Sequence, residues 1–182
     1  ELAMVRSIRP ALDFAHVRSL QSLLRELRPD VVHTHSSKAG VLGRLASIST
    51  DIGARVHTPH TFAFLFGAMF GGTSRRVFRE IEAGLAASTR RFIAVSDDEA
   101  VTFEQTGFIA KAKIRVVPNG VDPARWSSAA PLERASLGIP DTAPVTAVVG
   151  LLNIAKGQDL AVRALAEAGL EALHLLVVGH GE

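Results

Sequence analysis

The sequence predicts an α/β protein built on parallel sheets, and three observations support that fold class. Short β-branched runs alternate with stretches in which apolar residues recur every three or four positions, and these spacings are typical of strands and amphipathic helices. Short connections separate them, which favours parallel strands joined by crossover helices. The same alternation resumes near residue 145 after a proline-rich interval. We therefore predict one α/β unit followed by the first strands and helix of a second.

The first unit is predicted to contain four strands and four helices. The strands cover residues 30–35, 55–58, 91–95 and 113–117, and the helices cover residues 13–27, 37–48, 74–85 and 97–106. Asp13 and either Ser36 or Ser37 are suitable N-caps, and the spacing of Ser96 and Glu99 is that of a capping box. The apolar face of the first helix is expected to pack on the sheet. Ligands of such sheets bind beyond the carboxyl ends of the strands, so we expect the site there.

The last strand of the first unit ends in Val117-Pro118-Asn119-Gly120, which predicts a tight turn and a seam between the two units. Pro118 has no N–H for a strand ladder, and Asn-Gly is a strong turn signal. Residues 123–142 are rich in proline and are predicted to be a linker. Strands at 145–149 and 173–178 then flank a helix at 158–169. Because about 40 residues cannot close a core alone, we expect the second unit to be truncated and the first to lack its opening strand.

The composition excludes several classes of protein. Lys and Arg number 20 of the 182 residues and Asp and Glu number 18, so the excess of positive charge is too small to suggest a nucleic-acid partner. The longest apolar run, Phe62 to Phe70, is far shorter than the roughly 20 residues that span a bilayer. The absence of cysteine excludes disulfides and thiolate metal sites and fits a cytoplasmic location.

Six short segments carry a resemblance that covers nearly the whole chain. They are Arg28-Pro29-Asp30-Val31-Val32-His33-Thr34-His35-Ser36-Ser37-Lys38-Ala39-Gly40, Thr58-Pro59-His60, Ala94-Val95-Ser96, Val117-Pro118-Asn119-Gly120-Val121-Asp122, Val149-Gly150 with Lys156-Gly157-Gln158-Asp159-Leu160, and Val178-Gly179-His180-Gly181. In this order they resemble the successive signatures of glycosyltransferase family 4. The resemblance implies the GT-B architecture of two Rossmann-like domains. Residues 1–122 would form the N-terminally incomplete acceptor-side domain, 123–142 a linker, and 143–182 the beginning of the domain that binds the nucleotide-sugar donor.

The resemblance also implies an activity. The protein would be a retaining glycosyltransferase that moves a sugar from a nucleotide-sugar to a carbohydrate or lipid-linked acceptor, in cell-envelope polysaccharide or glycolipid synthesis, without a metal or another cofactor. Two alternatives stay open, namely a nucleotide-sugar epimerase of the same fold and a non-catalytic scaffold that binds sugar nucleotides. As a fragment, the chain by itself is expected to be inactive.

The donor-side candidates are Gly150, Lys156, Gly157, Gly179 and Gly181. A nucleotide-sugar releases a diphosphate, and Lys156 at a predicted helix start offers an ammonium and a helix N-terminus to the developing charge. Gly179 and Gly181 permit a ligand to approach the backbone closely. The alternative for Lys156 is a solvated surface lysine.

One position departs from the family pattern. The family usually has an arginine after the glycine equivalent to Gly150, but this chain has Leu151. Removing one preorganised charge of this kind costs about 10²–10³ in rate, so Leu151 bears directly on how efficient the enzyme is. Arg163 is a candidate substitute for the missing charge.

On the acceptor side, His60 matches the family's active-site histidine, while His35, Ser37 and Lys38 lie at the end of the first predicted strand. A neutral imidazole at His60 can orient an acceptor hydroxyl or hydrogen-bond the sugar. The alternative is a histidine bonded to the backbone of its turn. Ser37 and Lys38 can contact hydroxyls or a phosphate. His33 and His35 share a strand face, but no carboxylate accompanies them, so no metal site is predicted.

The segment Phe62 to Phe70 holds four phenylalanines and precedes Arg75, Arg76 and Arg79. An apolar loop beside basic residues suits an anionic membrane surface. One hypothesis is therefore a peripheral contact with the inner face of the cell membrane that admits a lipid-linked acceptor. The other is that the phenylalanines pack inward over the sheet or line an acceptor cleft.

Overall fold

A computed structural model describes residues 4–5, 7–67 and 69–181. The chain forms two compact units that divide between Gly120 and Val121, close to the predicted seam. Ala68, inside the predicted membrane-facing segment, lies outside the described residues, as do residues 1–3, 6 and 182 of the two predicted domains. In the described ranges, no helix has the length and apolar character needed to cross a membrane.

The first unit contains a four-stranded parallel sheet in the order β1-β2-β3-β4. The strands are β1 (Val31–His35), β2 (Ala54–Thr58), β3 (Arg91–Ala94) and β4 (Ile114–Val116). His35 pairs with Thr58 across β1 and β2, and Ala94 is level with Val116 across β3 and β4. The predicted parallel sheet is therefore confirmed, and the carboxyl ends of its strands lie along one edge.

Four described helices accompany this sheet. They are α1 (Pro10–Leu27), α2 (Ser37–Thr50), α3 (Gly72–Ala86) and α4 (Asp97–Gln105). The prediction that Asp13 caps α1 is wrong, because Pro10 suits the first helical position, where no N–H is needed. Asp13 lies in the first turn and accepts the backbone N–H of Arg9 at 2.9 Å. Helix α1 packs against α2 rather than on the sheet, and Phe14 is exposed.

The starts of the other helices agree with the prediction to different degrees. Ser36 occupies the N-cap position of α2 but makes no capping bond, and its φ is 60°. Helix α3 begins at Gly72, before the predicted Ser74. Ser96 does cap α4, since its Oγ accepts the backbone N–H of Glu99 at 3.1 Å. The predicted N-cap positions of α2 and α4 are therefore confirmed, but only Ser96, in its capping-box spacing, makes the capping hydrogen bond.

The core of the first unit is rich in phenylalanine. Phe62, Phe64, Phe92 and Phe103 are all buried. The ring of Phe62 stacks on that of Phe64 with centroids 5.0 Å apart and lies 5.2 Å from that of Phe103. A 3₁₀ turn at Ala63–Leu65 directs this segment inward. Two phenylalanines of the predicted membrane-facing loop thus pack over the sheet, because burying each gains about 1.5–3 kcal/mol.

A buried ion pair joins α2 to α3. Nη2 of Arg44 donates to both carboxylate oxygens of Glu82 at 2.8 and 2.7 Å, and its Nε donates to the carbonyl of Gly40 at 2.9 Å. Burial raises the pKa of Glu82 and lowers that of Arg44, while their mutual attraction opposes both shifts. Removing either partner would leave a buried charge unpaired, which is strongly destabilising.

His57 is fully buried in β2. Its Nδ1 lies 2.9 Å from Oγ1 of Thr34 and 3.1 Å from the carbonyl oxygen of Thr34. A Cβ at Gly40 would collide with the imidazole ring, so only glycine lets α2 pass so close to β2. Burial, reinforced by the positive charge of Arg44, lowers the pKa of His57 to about 3. The ring is therefore neutral in the folded chain at neutral pH.

The buried imidazole predicts a loss of stability in mild acid. The unfolded chain protonates His57 below about pH 6.5, but the folded chain protonates it only near pH 3. The unfolded state thus binds the extra proton between these values, and stability falls as the pH falls. We expect about 2 kcal/mol to be lost between pH 7 and pH 5 through this residue.

Urea unfolding followed by circular dichroism at both pH values measures this loss. In the variant His57→Gln the stability difference between pH 7 and pH 5 should shrink by that amount, even if the variant is less stable at pH 7. The pKa of His33 is also lowered, but His33 is present in both proteins and cancels. An equally steep dependence on pH in the variant would contradict the prediction.

The second unit has the predicted order of strand, helix and strand. β5 (Val145–Val149) pairs in parallel with β6 (His174–Val178), and α6 (Gln158–Ala168) connects them. The predicted linker contains a helix that the sequence pattern did not reveal, α5 (Pro123–Ser127), capped by Oδ1 of Asp122 on the N–H of Ala124 at 3.1 Å.

The predicted tight turn at Asn119-Gly120 is wrong. Residues 117–122 have no assigned turn, bend or strand. Neither Asn119 nor Gly120 has the positive φ that a type I′ turn requires of both residues. β4 pairs only with β3 among the described strands, so no hairpin forms here that would need such a turn.

Candidate functional site

Three histidines meet at the carboxyl edge of the first sheet. His33 and His35 belong to β1, and His60 follows β2. Nδ1 of His35 lies 3.0 Å from Nε2 of His60, and their rings stack with centroids 5.3 Å apart. One of these two nitrogens carries a hydrogen and donates it in a hydrogen bond to the other nitrogen. The tautomer of each ring therefore restricts the tautomer of the other. His35 and His60 were predicted to have separate roles, and a hydrogen bond joins their rings.

His33 completes the cluster from the middle of β1. Its ring centroid is 4.3 Å from that of His35, and its Nε2 is 2.9 Å from Oγ1 of Thr58. Burial, helped by the neighbouring His35 and His60, lowers the pKa of His33. In the part of the chain that the structure describes, no group of three or more His, Cys, Asp or Glu residues is arranged to hold a metal ion.

The turn that carries His60 has an unusual backbone. His60 and Thr61 have φ values of 51° and 77°, and two consecutive residues with side chains seldom adopt the left-handed region. The carboxylate of Glu99 holds this turn, since one oxygen accepts the N–H of Thr61 at 2.8 Å and the other that of Val95 at 2.7 Å. Glu99 therefore links the turn after β2 to the end of β3.

A cavity of about 400 Å³ opens beside this turn, and we call it the His60 cavity. Its lining includes His60, Thr61, Leu65, Glu99 and Thr102. It lies beyond the carboxyl ends of β2 and β3, where ligands of doubly wound sheets bind. An acceptor in this cavity would lie against the imidazole that the family resemblance singles out.

We predict that Glu99 stabilises the turn at His60 and Thr61 through its hydrogen bond with the Thr61 amide. In Glu99→Ala the amide of Thr61 loses a charged acceptor, and such bonds contribute about 1.5–3 kcal/mol. We expect hydrogen exchange at the Thr61 amide, measured by NMR, to become about tenfold faster or more. Glu104→Ala on the same helix is the matched control, because that carboxylate pairs with Lys111 at the surface and with no other side chain of the described residues. Equal Thr61 exchange in both variants would contradict this role.

Lys38 is engaged in contacts within the first unit. Its ammonium donates to the carbonyls of Val5 and Ser7 at 2.9 and 2.6 Å and pairs with the carboxylate of Asp13. The hydrogen bond from Lys38 lowers the pKa of Asp13. Lys38 and Ser37 also line a mainly apolar cavity of about 500 Å³. Their acceptor-binding role stays a prediction, and Lys38 would have to exchange a present partner to contact a ligand.

In the second unit, two predicted donor-side glycines touch each other. A Cβ at Gly179 would collide with the carbonyl of Gly150, so Gly179 admits no side chain. The N–H of Gly150 donates to the carbonyl of Val178 at 2.9 Å. A further bridge links Leu152 to Gly181. The ends of β5 and β6 thus run side by side beyond the sheet, where the predicted donor residues lie.

Lys156 lies over this glycine contact. It ends a 3₁₀ turn at Ile154–Lys156, and a Cβ at Gly150 would lie 3.7 Å from its Cγ and Cδ. No hydrogen bond or ion pair within the described residues occupies its ammonium. Gly157, with a φ of 68°, follows at the N-cap of α6. Lys156, whose ammonium has no partner in the described residues, therefore directly precedes a helix N-terminus that has no side-chain cap.

Two residues bear on the charge that the family usually has after Gly150. They are Leu151 and Arg163, and they differ in their contacts. The carbonyl of Leu151 accepts Nε2 of Gln158 at 3.0 Å, which ties the loop to α6. Arg163 is exposed and pairs with Asp159 one turn earlier in α6 at 3.6 Å. The proposal that Arg163 replaces the usual arginine would require it to leave this pair.

Two contacts of the site join residues far apart in the sequence. The capping-box spacing singled out Glu99, but only as a helix cap, and its bond to Thr61 spans 38 positions. The pairing of Lys38 with Asp13 likewise joins separate elements. Such long-range pairings leave no periodic signal along the chain, whereas a cap does.

Comparison with solved structures identifies the class of fold. Anabaena HepE in complex with UDP and glucose superposes with a TM-score of 0.67 at 22% identity, over 94% of this chain and 44% of that one. UDP-GlcNAc 2-epimerase from Neisseria meningitidis bound to UDP-GlcNAc gives 0.61 at 14% identity, over 96% and 49%. These likenesses and the two α/β units with parallel sheets define a GT-B fold.

The family follows from the sequence comparisons. The profile of Glycosyltransferase Family 4 matches residues 4–125, and the chain belongs to this family. It is 33% identical over 156 residues to UDP-Gal:alpha-D-GlcNAc-diphosphoundecaprenol alpha-1,3-galactosyltransferase of Escherichia coli, covering 82% of this chain and 39% of that protein. It is 37% identical over 164 residues to D-inositol 3-phosphate glycosyltransferase of Actinosynnema mirum, covering 82% and 38%. The chain thus spans well under half the length of these relatives.

Proposed function

We propose that the whole protein is a retaining glycosyltransferase that transfers a sugar from a nucleotide-sugar to a carbohydrate or lipid-linked acceptor. The observation that carries the proposal is the position of Lys156. Its side-chain carbons lie over Gly150, its ammonium has no partner within the described residues, and the next residue, Gly157, is the N-cap of α6. A leaving diphosphate needs positive charge and free N–H groups of this kind. The retaining outcome and the independence from metal rest on family membership.

The donor is proposed to be a UDP-sugar. The E. coli relative is named as a UDP-Gal-dependent galactosyltransferase, and the HepE structure contains UDP with glucose. The close contact of Gly150 and Gly179 leaves the backbone exposed at the ends of β5 and β6, and this permits a flat or charged ligand to approach. UDP-galactose is accordingly the first donor to test.

The acceptor is proposed to bind in the His60 cavity. His60 lies beyond β2 with one ring nitrogen bonded to His35, and its other nitrogen is available to orient an acceptor hydroxyl. Both relatives named above act on phosphate-containing acceptors, one of them a lipid diphosphate. A sugar linked through diphosphate to a polyprenyl lipid is therefore the acceptor class we propose.

Donor consumption by the full-length protein tests the function. UDP-galactose, UDP-glucose, UDP-GlcNAc and GDP-mannose are each incubated with GlcNAc diphosphate carried on a short polyprenol, with and without EDTA. We expect UDP release and a product one hexose heavier with a single donor, and the same rate in EDTA. NMR of the product gives the anomeric configuration. Absence of transfer with every donor would argue against the proposal.

An epimerase is the second candidate, supported by the structural likeness to UDP-GlcNAc 2-epimerase. That likeness extends over both units of the chain but at only 14% identity. Incubating the full-length protein with UDP-GlcNAc alone separates the two functions. An epimerase would form a second N-acetylhexosamine species without any acceptor, while the transferase we propose would leave UDP-GlcNAc unchanged.

A further inference from the structure

A basic depression adjoins the His60 cavity. It has a volume of about 530 Å³, and we call it the arginine depression. Its lining residues are Phe64, Leu65, Gly72, Arg75, Arg76, Arg79, Thr102, Gln105 and Thr106. Leu65 and Thr102 also line the His60 cavity, so the two spaces share a wall. The two spaces are therefore immediate neighbours.

Two of the three arginines are held in place by the protein. Nε of Arg75 donates to the carbonyl of Phe64 at 2.7 Å. Arg79 donates to the carbonyl of Thr106 at 3.1 Å and lies over the ring of Phe108, 5.5 Å from its centroid. These partners carry no charge, so they orient the guanidinium groups without neutralising them. Each arginine has five N–H donors, and several therefore remain unused.

Arg76 has no partner at all within the described residues, neither in a hydrogen bond nor in an ion pair. No carboxylate lines the depression. Glu80 contacts Arg79 at 3.2 Å, but both side chains are about half exposed, where such pairs contribute little. Asp98 and Glu99 lie in the neighbouring His60 cavity, and Glu99 is occupied by two backbone N–H groups. The depression thus keeps a net positive charge.

We propose that the arginine depression binds the diphosphate of the acceptor while the acceptor sugar occupies the His60 cavity. Guanidinium groups are suited to this ligand because they bind phosphate oxygens through two parallel N–H bonds. This inference rests on the proposed function, since it assumes a diphosphate-linked acceptor. The phosphates of an anionic bilayer have the same chemistry, but the wall shared with the His60 cavity favours the acceptor's own diphosphate.

Direct binding tests the depression independently of transfer activity. Calorimetry measures the affinity of the full-length protein for geranyl diphosphate in saturating UDP, which blocks the donor side. We expect Arg76→Gln to weaken this affinity about tenfold or more. Arg25→Gln on α1 is the matched control, because Arg25 is exposed and lies outside the depression. Equal affinity in the wild type and Arg76→Gln, or no binding by the wild type, would overturn the inference even if the protein transfers sugar.

Kinetic and vesicle-sedimentation measurements then show whether the arginine depression binds the acceptor's diphosphate or the phosphates of a membrane. For Arg76→Gln we expect a KM about tenfold higher for the diphosphate-linked acceptor, a nearly unchanged kcat, and an unchanged KM for a neutral alkyl glycoside of the same sugar. Equal changes for both acceptors would overturn the inference. So would lost sedimentation with phosphatidylglycerol vesicles at an unchanged KM, since the arginines would then serve the membrane.

Discussion

Replacing Lys156 with alanine in the whole protein is expected to lower the rate of sugar transfer by about 10²–10³. The side-chain carbons of Lys156 lie over Gly150, and its ammonium has no partner in the described chain, so its charge is available to the diphosphate as the bond to the sugar breaks. Leu151 stands where the family usually has a second positive charge. We therefore expect the loss to fall at the upper end of this range. The measurement is kcat at saturating donor and acceptor.

Two further variants make the Lys156 result specific. Lys156→Arg keeps the charge but changes its reach, and its rate should lie between those of the wild type and Lys156→Ala. Lys111→Ala is the matched control, since Lys111 is an exposed lysine of the first unit that pairs with Glu104. If Lys156→Ala transferred sugar at the wild-type rate, Lys156 would be the solvated surface lysine of the alternative interpretation.

Replacing His60 with asparagine is expected to reduce kcat about 10²-fold or more. The ring lies in the His60 cavity and is bonded to His35 at 3.0 Å, so its loss removes the group proposed to orient the acceptor hydroxyl. Asparagine is the better replacement because φ at this position is 51°. Asparagine adopts this left-handed region more readily than alanine does.

The controls for His60→Asn separate catalysis from folding. The affinity for UDP should be unchanged, because the donor residues belong to the other unit, and the thermal unfolding midpoint should move by only a few degrees. A wild-type kcat would refute the role given to His60. A loss of kcat that accompanied an equally large loss of UDP affinity would show that the substitution disturbs the whole protein instead.

The way in which the phenylalanine segment folds shows the limit of local sequence patterns. The run Phe62 to Phe70 suits a membrane contact as well as a core, because both environments favour apolar side chains. The structure buries Phe62 and Phe64 against Phe103, about 40 positions later in the chain. Exposed Met69 is in the same segment. An aspartate at Phe64 would therefore disrupt the core and is unsuitable as a test of membrane binding.

The sequence by itself determined the order of strands and helices, the parallel sheets and the family. These properties follow from short-range periodicity and from six local segments, whose signals lie within a few residues. The same local reading placed the cap at Ser96, the glycines at the ends of β5 and β6, and Lys156 at a helix start. It wrongly predicted a turn at Asn119-Gly120. Asn-Gly favours a turn between two hydrogen-bonded strands, and no such pair of strands flanks it here.

Only the tertiary structure decided which of these residues act together. Three contacts each join residues 17 or more positions apart. They are the hydrogen bond between His35 and His60, the hydrogen bond from Thr61 to Glu99, and the packing of His57 against Gly40. Such pairings depend on the sheet, which brings the ends of β1, β2 and β3 to one edge. The physical reason is that a chain's periodicity records which side of an element faces the core, but not which element it meets there.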